Sequence, residues 1–265
     1  VRYDENADVA QPVISKRAYV PEYLQCAVQD SAGNLWLGSE GVGLVKISLR
    51  RYVSRSLRPG EPLRFSAKNN VVAVLESVDG NVWMGVKNGD IYVYDPNLMR
   101  ELCHKQSIRP THMAADSRGR IWVATDGFGV FVYDLSTFAE LAHYTHSDDN
   151  FMSLASDRVL KVVPDDNGRI WLVMADGGVD LVEDFRRSET RFRHFFAANA
   201  KVTACDAMLD SEGLLWLATD RGFICYAPSR LIKDSEDYVT YKFDDEQPAA
   251  SVRNNEVRTI CEDPQ

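Results

Sequence analysis

The chain has 265 residues, 45% of them hydrophobic and 26% charged, which is the composition of an ordinary globular protein rather than a disordered or fibrous one. Its formal net charge of −9 argues against a general nucleic-acid or membrane-surface binder, for which a basic face is expected. No apolar run reaches the ~20 residues a membrane helix needs.

Residues 1–6, Val-Arg-Tyr-Asp-Glu-Asn, resemble the stretches that close later repeats, Tyr144 to Asn150 and Tyr241 to Glu246, and are read as a lone outer strand. The chain begins with Val1 and not Met, so a preceding segment is expected. The first complete repeat spans about 19–65. It holds a short apolar strand at Leu24 to Gln29, a turn at Asp30 to Gly33, a tryptophan strand at Asn34 to Ser39, a glycine turn, a third strand at Leu44 to Ser48 and a fourth at Arg51 to Leu57. The same order recurs over 69–107, 108–147, 157–197 and 200–245. Asn255 to Asp263 opens one more repeat, read as a lone inner strand over 255–262.

The five tryptophans, Trp36, Trp83, Trp122, Trp171 and Trp216, are spaced by 47, 39, 49 and 45 residues, each with a glycine three residues before it. Eight residues after each comes the apolar start of the next strand: Leu44, Ile91, Val130, Val179 and Ile224. Hairpin turn residues (Asp-Gly, Asn-Gly, Gly-Gly) separate the strands. Four short antiparallel strands per repeat of this size predict an all-β chain forming one incomplete β-propeller, with five complete blades and partial blades at both ends. No such sheet can bury both faces alone. The first strands, with runs such as Cys26-Ala-Val and Met113-Ala-Ala, are expected to be small and apolar and to line the axis. The tryptophans are read as blade core. A fifth blade with no complete neighbour is expected to keep an apolar face wet, and the remaining blades are expected partners outside the chain.

Five cysteines without C-x-x-C spacing predict free thiols, with Cys205 and Cys261 buried in apolar strands, and no zinc site. Nucleotide-loop, serine-hydrolase and zinc-protease signatures are missing. His143 and His146 are read as surface residues, and Asp165 to Gly168 and Asp176 to Asp180 as turns rather than calcium loops, so neither metal nor cofactor is expected. Ligand contact is expected on the turns between second and third strands, which share an end with the connectors between blades. Their polar residues are Glu40, Lys87, Asn88, Asp126, Asp176, Asp220 and Arg221, with Phe128 as a stacking platform, a set suited to a hydroxyl-rich ligand.

The phrases Asn255 to Asp263, Gly33 to Ser39 and Gly127 to Asp134, with the Asp148 to Ser156 connector, resemble the two-component regulator propeller repeat. The resemblance covers nearly the whole chain in five copies. Val173-Met174 stands where Gly-Thr is usual, and Arg221-Gly222 replaces Gly-x-Gly. It implies the periplasmic sensor region of a hybrid two-component regulator, in which two propellers precede an immunoglobulin-like domain, a membrane helix and a cytoplasmic histidine kinase. It further implies an oligosaccharide ligand, a non-enzymatic role for this segment, homodimerisation in the full-length protein and no direct contact with membrane or nucleic acid. Two alternatives stay open. One is a propeller enzyme of the streptogramin-lyase type, which needs histidine and acidic residues converging at the centre, where the first strands supply only His112. The other is a propeller scaffold for protein partners.

Overall fold

A computed structural model describes residues 2–4, 9–11, 23–30, 33–40, 43–48, 53–57, 70–87, 89–96, 100–185, 190–195, 202–228, 238–242 and 256–262. The protein is all-β and of the propeller class, built of five four-stranded antiparallel blades. Two compact units divide it, Val1–Pro110 and Thr111–Gln265.

In the first unit, β1 (Arg2–Asp4) pairs with β2 (Val9–Gln11) as a two-stranded hairpin, so the expected lone outer strand has a partner that its sequence did not signal. The first blade is β3 (Leu24–Gln29), β4 (Asn34–Ser39), β5 (Gly43–Ser48) and β6 (Val53–Leu57). The second is β7 (Val71–Glu76), β8 (Val82–Val86), β9 (Ile91–Tyr94) and β10 (Glu101–Lys105). Trp36 and Leu44 pack against Val71, Val74 and Met84 of the second blade.

The second unit begins at the third blade: β11 (Pro110–Ala115), β12 (Arg120–Thr125), β13 (Val130–Asp134) and β14 (Glu140–Tyr144). The fourth is β15 (Val159–Pro164), β16 (Ile170–Met174), β17 (Val179–Asp184) and β18 (Arg191–Phe195). The fifth is β19 (Ala204–Leu209), β20 (Leu215–Thr219), β21 (Gly222–Tyr226) and β22 (Tyr238–Tyr241). Side chains alternate along β16: Ile170, Leu172 and Met174 pack on Trp122 and Val132 of the third blade, while Trp171 and Val173 pack on Leu215, Leu217 and Tyr226 of the fifth. A strand buried on both faces cannot alternate with polar residues, which is why Ile-Trp-Leu-Val-Met reads as one apolar run.

Register is the same in each blade. The tryptophan lies opposite Val28, Leu75, Val163 or Met208 on the first strand, and opposite Lys46, Val93, Val132, Leu181 or Cys225 on the third. A bulge recurs on the first strand at Leu24/Cys26, Val71/Ala73, Val159/Lys161 and Ala204/Asp206.

Each tryptophan strand is tied to the turn before it. The carboxylates of Asp30, Asp116, Asp165 and Asp210 accept the indole Nε1–H of the tryptophan six residues on, at 3.0, 2.8, 3.0 and 2.7 Å. The other oxygen accepts the amide of residue i+4: Asn34, Arg120, Arg169 and Leu214. The second blade has Ser77 at this position, and its hydroxyl bonds Asp79. The turn Asp165 to Gly168 thus holds the core tryptophan of its blade.

Three expectations need correction. The first strands are not uniformly small and apolar, since the residue that resumes pairing after the bulge is Lys161 in the fourth blade and Asp206 in the fifth, and Leu24 is 47% exposed. Cys205 is half-buried and Cys261 exposed, although all five cysteines are free as expected. Trp216 is half-buried, whereas Trp36, Trp83, Trp122 and Trp171 are 0–1% exposed. The physical reason is the same for Trp216 and Cys261. Both lie on the fifth-blade face against which no described sheet packs, in a groove of about 300 Å³ with Met208, Phe223 and Ile260.

Residues 256–262 form no ladder strand. They run beside the fifth blade: the Val257 amide donates to Thr219 O at the end of β20, and Thr259 Oγ1 and the Ile260 amide donate to the Asp206 carboxylate on β19. Asp206 makes the corresponding bond back to the fourth blade through Lys161 Nζ at 2.5 Å. The segment thus takes the place of a following blade's first strand.

Candidate functional site

The turns between second and third strands meet the interblade connectors at one end of the second unit. In the third blade, the Gly127 and Gly129 amides both donate to Asp157 O on the connector to the fourth blade. Gly129 has φ +71°, and a Cβ there would lie 2.0 Å from Tyr144 O, so only glycine lets this turn close on its outer strand. The residue between those two glycines, Phe128, is 39% exposed and fixed at both backbone ends. Its amide donates to Thr125 Oγ1, and its carbonyl accepts His143 Nε2–H at 2.7 Å. The His143 ring stacks on Phe131 with centroids 3.8 Å apart.

Beside Phe128, Asp126 Oδ1 accepts Arg158 Nε–H at 3.1 Å, with both side chains more than half exposed. An ion pair this exposed contributes only ~0–1 kcal/mol to stability. Its groups remain open to solvent. A chain of backbone bonds continues along the rim. The Ala175 amide donates to Arg158 O, the Ala204 amide to Ala175 O, and the Asp220 amide to Thr203 O. Asp126, Phe128, Asp176, Asp220 and Arg221 therefore share the rim of the second unit, all exposed. Asp176 and Asp220 also hold their own surroundings, accepting the Gly178 and Thr203 amides. Glu40 and Lys87 are exposed in the equivalent turns of the first unit, and Asn88 lies outside the described residues.

The connector over this rim carries features the sequence reading passed over. Phe151 and Met152 are 85% and 45% exposed. Beneath them, Asp180 is fully buried: Oδ1 accepts His194 Nδ1–H at 2.7 Å, and Oδ2 accepts the Ala155 amide at 2.8 Å. Burial raises the Asp180 pKa, and the His194 bond only partly offsets it. His146 is exposed, as the sequence reading has it, and also bonds Leu154 O and Asp148. The signal available was Asp180, a carboxylate inside an apolar strand, which needs a partner.

A second polar cluster lies on the first strands. The His112 ring, at the first-strand position equivalent to Lys161 and Asp206, accepts the Val162 amide on Nδ1 at 3.4 Å. Burial, then the Lys161 charge, push its pKa down to about 3, so the ring is neutral. Burial raises Asp206, but the bonds and charge of Lys161 and the bonds from Thr259 and Ile260 outweigh it and hold the carboxylate below its ordinary value. Inner strands thus supply a lysine and an aspartate beside His112, which the sequence reading did not count. Among the described residues, no group of three potential metal ligands converges, and no helix is long and apolar enough to cross a membrane.

No family model matches the chain, and no curated protein matches it. Solved structures do. An extracellular domain assigned to a hybrid two component system of B. thetaiotaomicron superposes with TM-score 0.66 at 21% identity, over 83% of this chain and 29% of that one. A second such extracellular domain from the same organism gives 0.52 at 17% identity, over 88% and 35%. Virginiamycin B lyase from Staphylococcus aureus gives 0.58 at 13% identity, over 82% and 69%. At these identities the likeness is one of fold, and the chain spans under a third of the first of these structures. The fold and rim define a propeller module with a polar loop face. Its neighbours include extracellular domains of two-component systems, in keeping with the resemblance read from the repeats.

Proposed function

We propose that this chain is an extracytoplasmic ligand-sensing propeller segment of a hybrid two-component regulator, binding a glycan-derived oligosaccharide at the rim of Asp126, Phe128, Arg158 and Asp176. The observation that carries the reading is Phe128 held exposed between two fixed backbone bonds, beside a carboxylate and a guanidinium more than half exposed to solvent. An aromatic face with adjacent charged hydrogen-bonding groups matches a sugar ring and its hydroxyls. Periplasmic placement, the remaining blades, a dimer and a kinase outside this chain complete the proposal. Signalling is then limited by the ligand's differential affinity for two arrangements of the full protein.

The test is calorimetric titration of the chain with defined oligosaccharides released from complex glycans. A binder should lose about tenfold or more in affinity in the Asp126→Ala/Phe128→Ala double variant, about 1.4 kcal/mol, with the melting temperature unchanged. Unaltered affinity in that variant, or no binding across a broad panel, overturns the rim as the site.

The His112, Lys161 and Asp206 cluster favours a second reading, a propeller enzyme of the streptogramin-lyase type. Against it stands the engagement of these groups: Nδ1 of His112 is occupied by Val162, and Lys161 is tied to Asp206. Turnover of a streptogramin by the chain, lost in Lys161→Met, would replace the sensor reading.

A further inference from the structure

Two of the fastenings of the connector at residues 147–156 are histidines, each with an acceptor on both ring nitrogens. His194, on β18, faces Asp180 Oδ1 at 2.7 Å through Nδ1 and Phe151 O at 2.9 Å through Nε2. His146 faces Leu154 O at 2.8 Å through Nδ1 and Asp148 Oδ1 at 3.1 Å through Nε2. Carbonyl and ionised carboxylate oxygens only accept, so with Asp180 and Asp148 ionised both bonds of either ring exist together only when the ring is an imidazolium. A neutral ring would turn a lone pair toward one of its two oxygens.

From this geometry we infer that the connector is a pH-sensitive strap beside the proposed ligand rim, closed by the imidazolium forms of His194 and His146 and loosened when either ring loses its second proton. The two fastenings differ in strength. His194 and Asp180 are nearly or fully buried, with side chains 12% and 0% exposed, whereas His146 and Asp148 are 41% and 99% exposed and well screened. The buried pair is the main lock. The strap also rests on bonds that the loss of a ring proton leaves in place: the Ala155 amide to Asp180 Oδ2, the Phe192 amide to Met152 O, and the Ser147 amide to Ser153 Oγ.

The charged groups facing the two rings act in one direction. Around His194 the Asp180 bond raises the pKa most, burial opposes it, and the Asp180 charge and the Phe151 carbonyl add to the rise; Asp176 acts on the pair through Asp180. Around His146 the Leu154 carbonyl raises it most, then the Asp148 bond, with Asp157 adding its charge. A histidine pKa raised by folding means that the clamp is complete below the ordinary value of ~6.5 and is lost as pH rises through the raised one. The strap therefore closes in mildly acidic solution and opens in alkaline solution. Regulation of binding rests on the rim being the ligand site: Asp157, at the strap's end, holds the Gly127 and Gly129 amides that fix Phe128.

Two measurements on the whole chain test this without any ligand. Ring ¹⁵N spectra should show both nitrogens of His194 and His146 protonated at about pH 6. Amide exchange across residues 147–156, corrected for intrinsic rate, should then accelerate by about tenfold or more between about pH 6 and pH 8.5. His194→Gln, which cannot titrate, should flatten most of that dependence. A bare ring nitrogen on His194 at about pH 6, or pH-independent exchange in the wild-type chain, overturns the strap even if the variant does not fold. If the strap behaves as expected and no oligosaccharide binds at either pH, the strap stands and the sensor-rim reading falls.

Discussion

Trp122→Ala should lower the stability of the chain by ~3–5 kcal/mol in urea melts, the range for removing a buried indole. Trp122 is fully buried between the third and fourth blades, edge-on to Phe185 at 5.6 Å and bonded to Asp116 at 2.8 Å. Truncation leaves a cavity between two sheets whose backbones are fixed by their own ladders and cannot collapse into it. Trp216 has the same register and the same aspartate bond, but one face is open to the groove. Trp216→Ala should therefore cost much less, roughly 1–2 kcal/mol, and Trp216 fluorescence should be the most accessible to acrylamide. Equal losses for the two substitutions would show that the groove face of the fifth blade is as well packed as the interior.

Asp116→Ala should cost nearly as much, ~3–4 kcal/mol, for an electrostatic reason rather than a packing one. One carboxylate accepts the amides of Arg118 and Arg120, the Arg120 Nε–H at 2.6 Å and the Trp122 indole. Arg120 is only 8% exposed and lies over the Phe185 ring at 4.0 Å, so the substitution strands a buried cation together with the Arg120 amide and the Trp122 indole, while the Arg118 amide can turn to water. Asp116→Asn retains the shape and one acceptor oxygen and should fall between. The decisive comparison is Arg120→Met in the Asp116→Ala background. If the stranded charge dominates, adding the second substitution recovers part of the loss. If stability falls further by the full cost of the single Arg120→Met change, Asp116 acts on the turn alone.

The blades were legible in the sequence because a propeller repeats one local solution. Each sheet buries the same tryptophan position against the same kind of neighbour, so Gly-x-x-Trp and the apolar opening eight residues on recur wherever a blade exists. Strand limits followed closely, as at Leu24–Gln29 and Asn34–Ser39. The aspartate lock was also present in the sequence, as Asp six residues before Trp in four of five repeats. It went unread because an aspartate before a glycine already has a sufficient explanation as a turn residue. The polar ends of the second–third turns were legible too, and in the second unit the fold sets Asp126, Phe128, Asp176, Asp220 and Arg221 on one rim.

Only the tertiary structure decided what those residues meet. Arg158 joins Asp126 across 32 residues of sequence, His194 reaches Phe151 across 43, and Lys161 reaches Asp206 across 45. No local pattern encodes such pairs, because they depend on how one blade's connector lies over the next blade. Burial shows the same division. The repeat made Trp122 and Trp216 look identical, since register and hydrogen bonding are set within a sheet. Whether the indole is dry is set by the neighbouring sheet, and that is where the two differ.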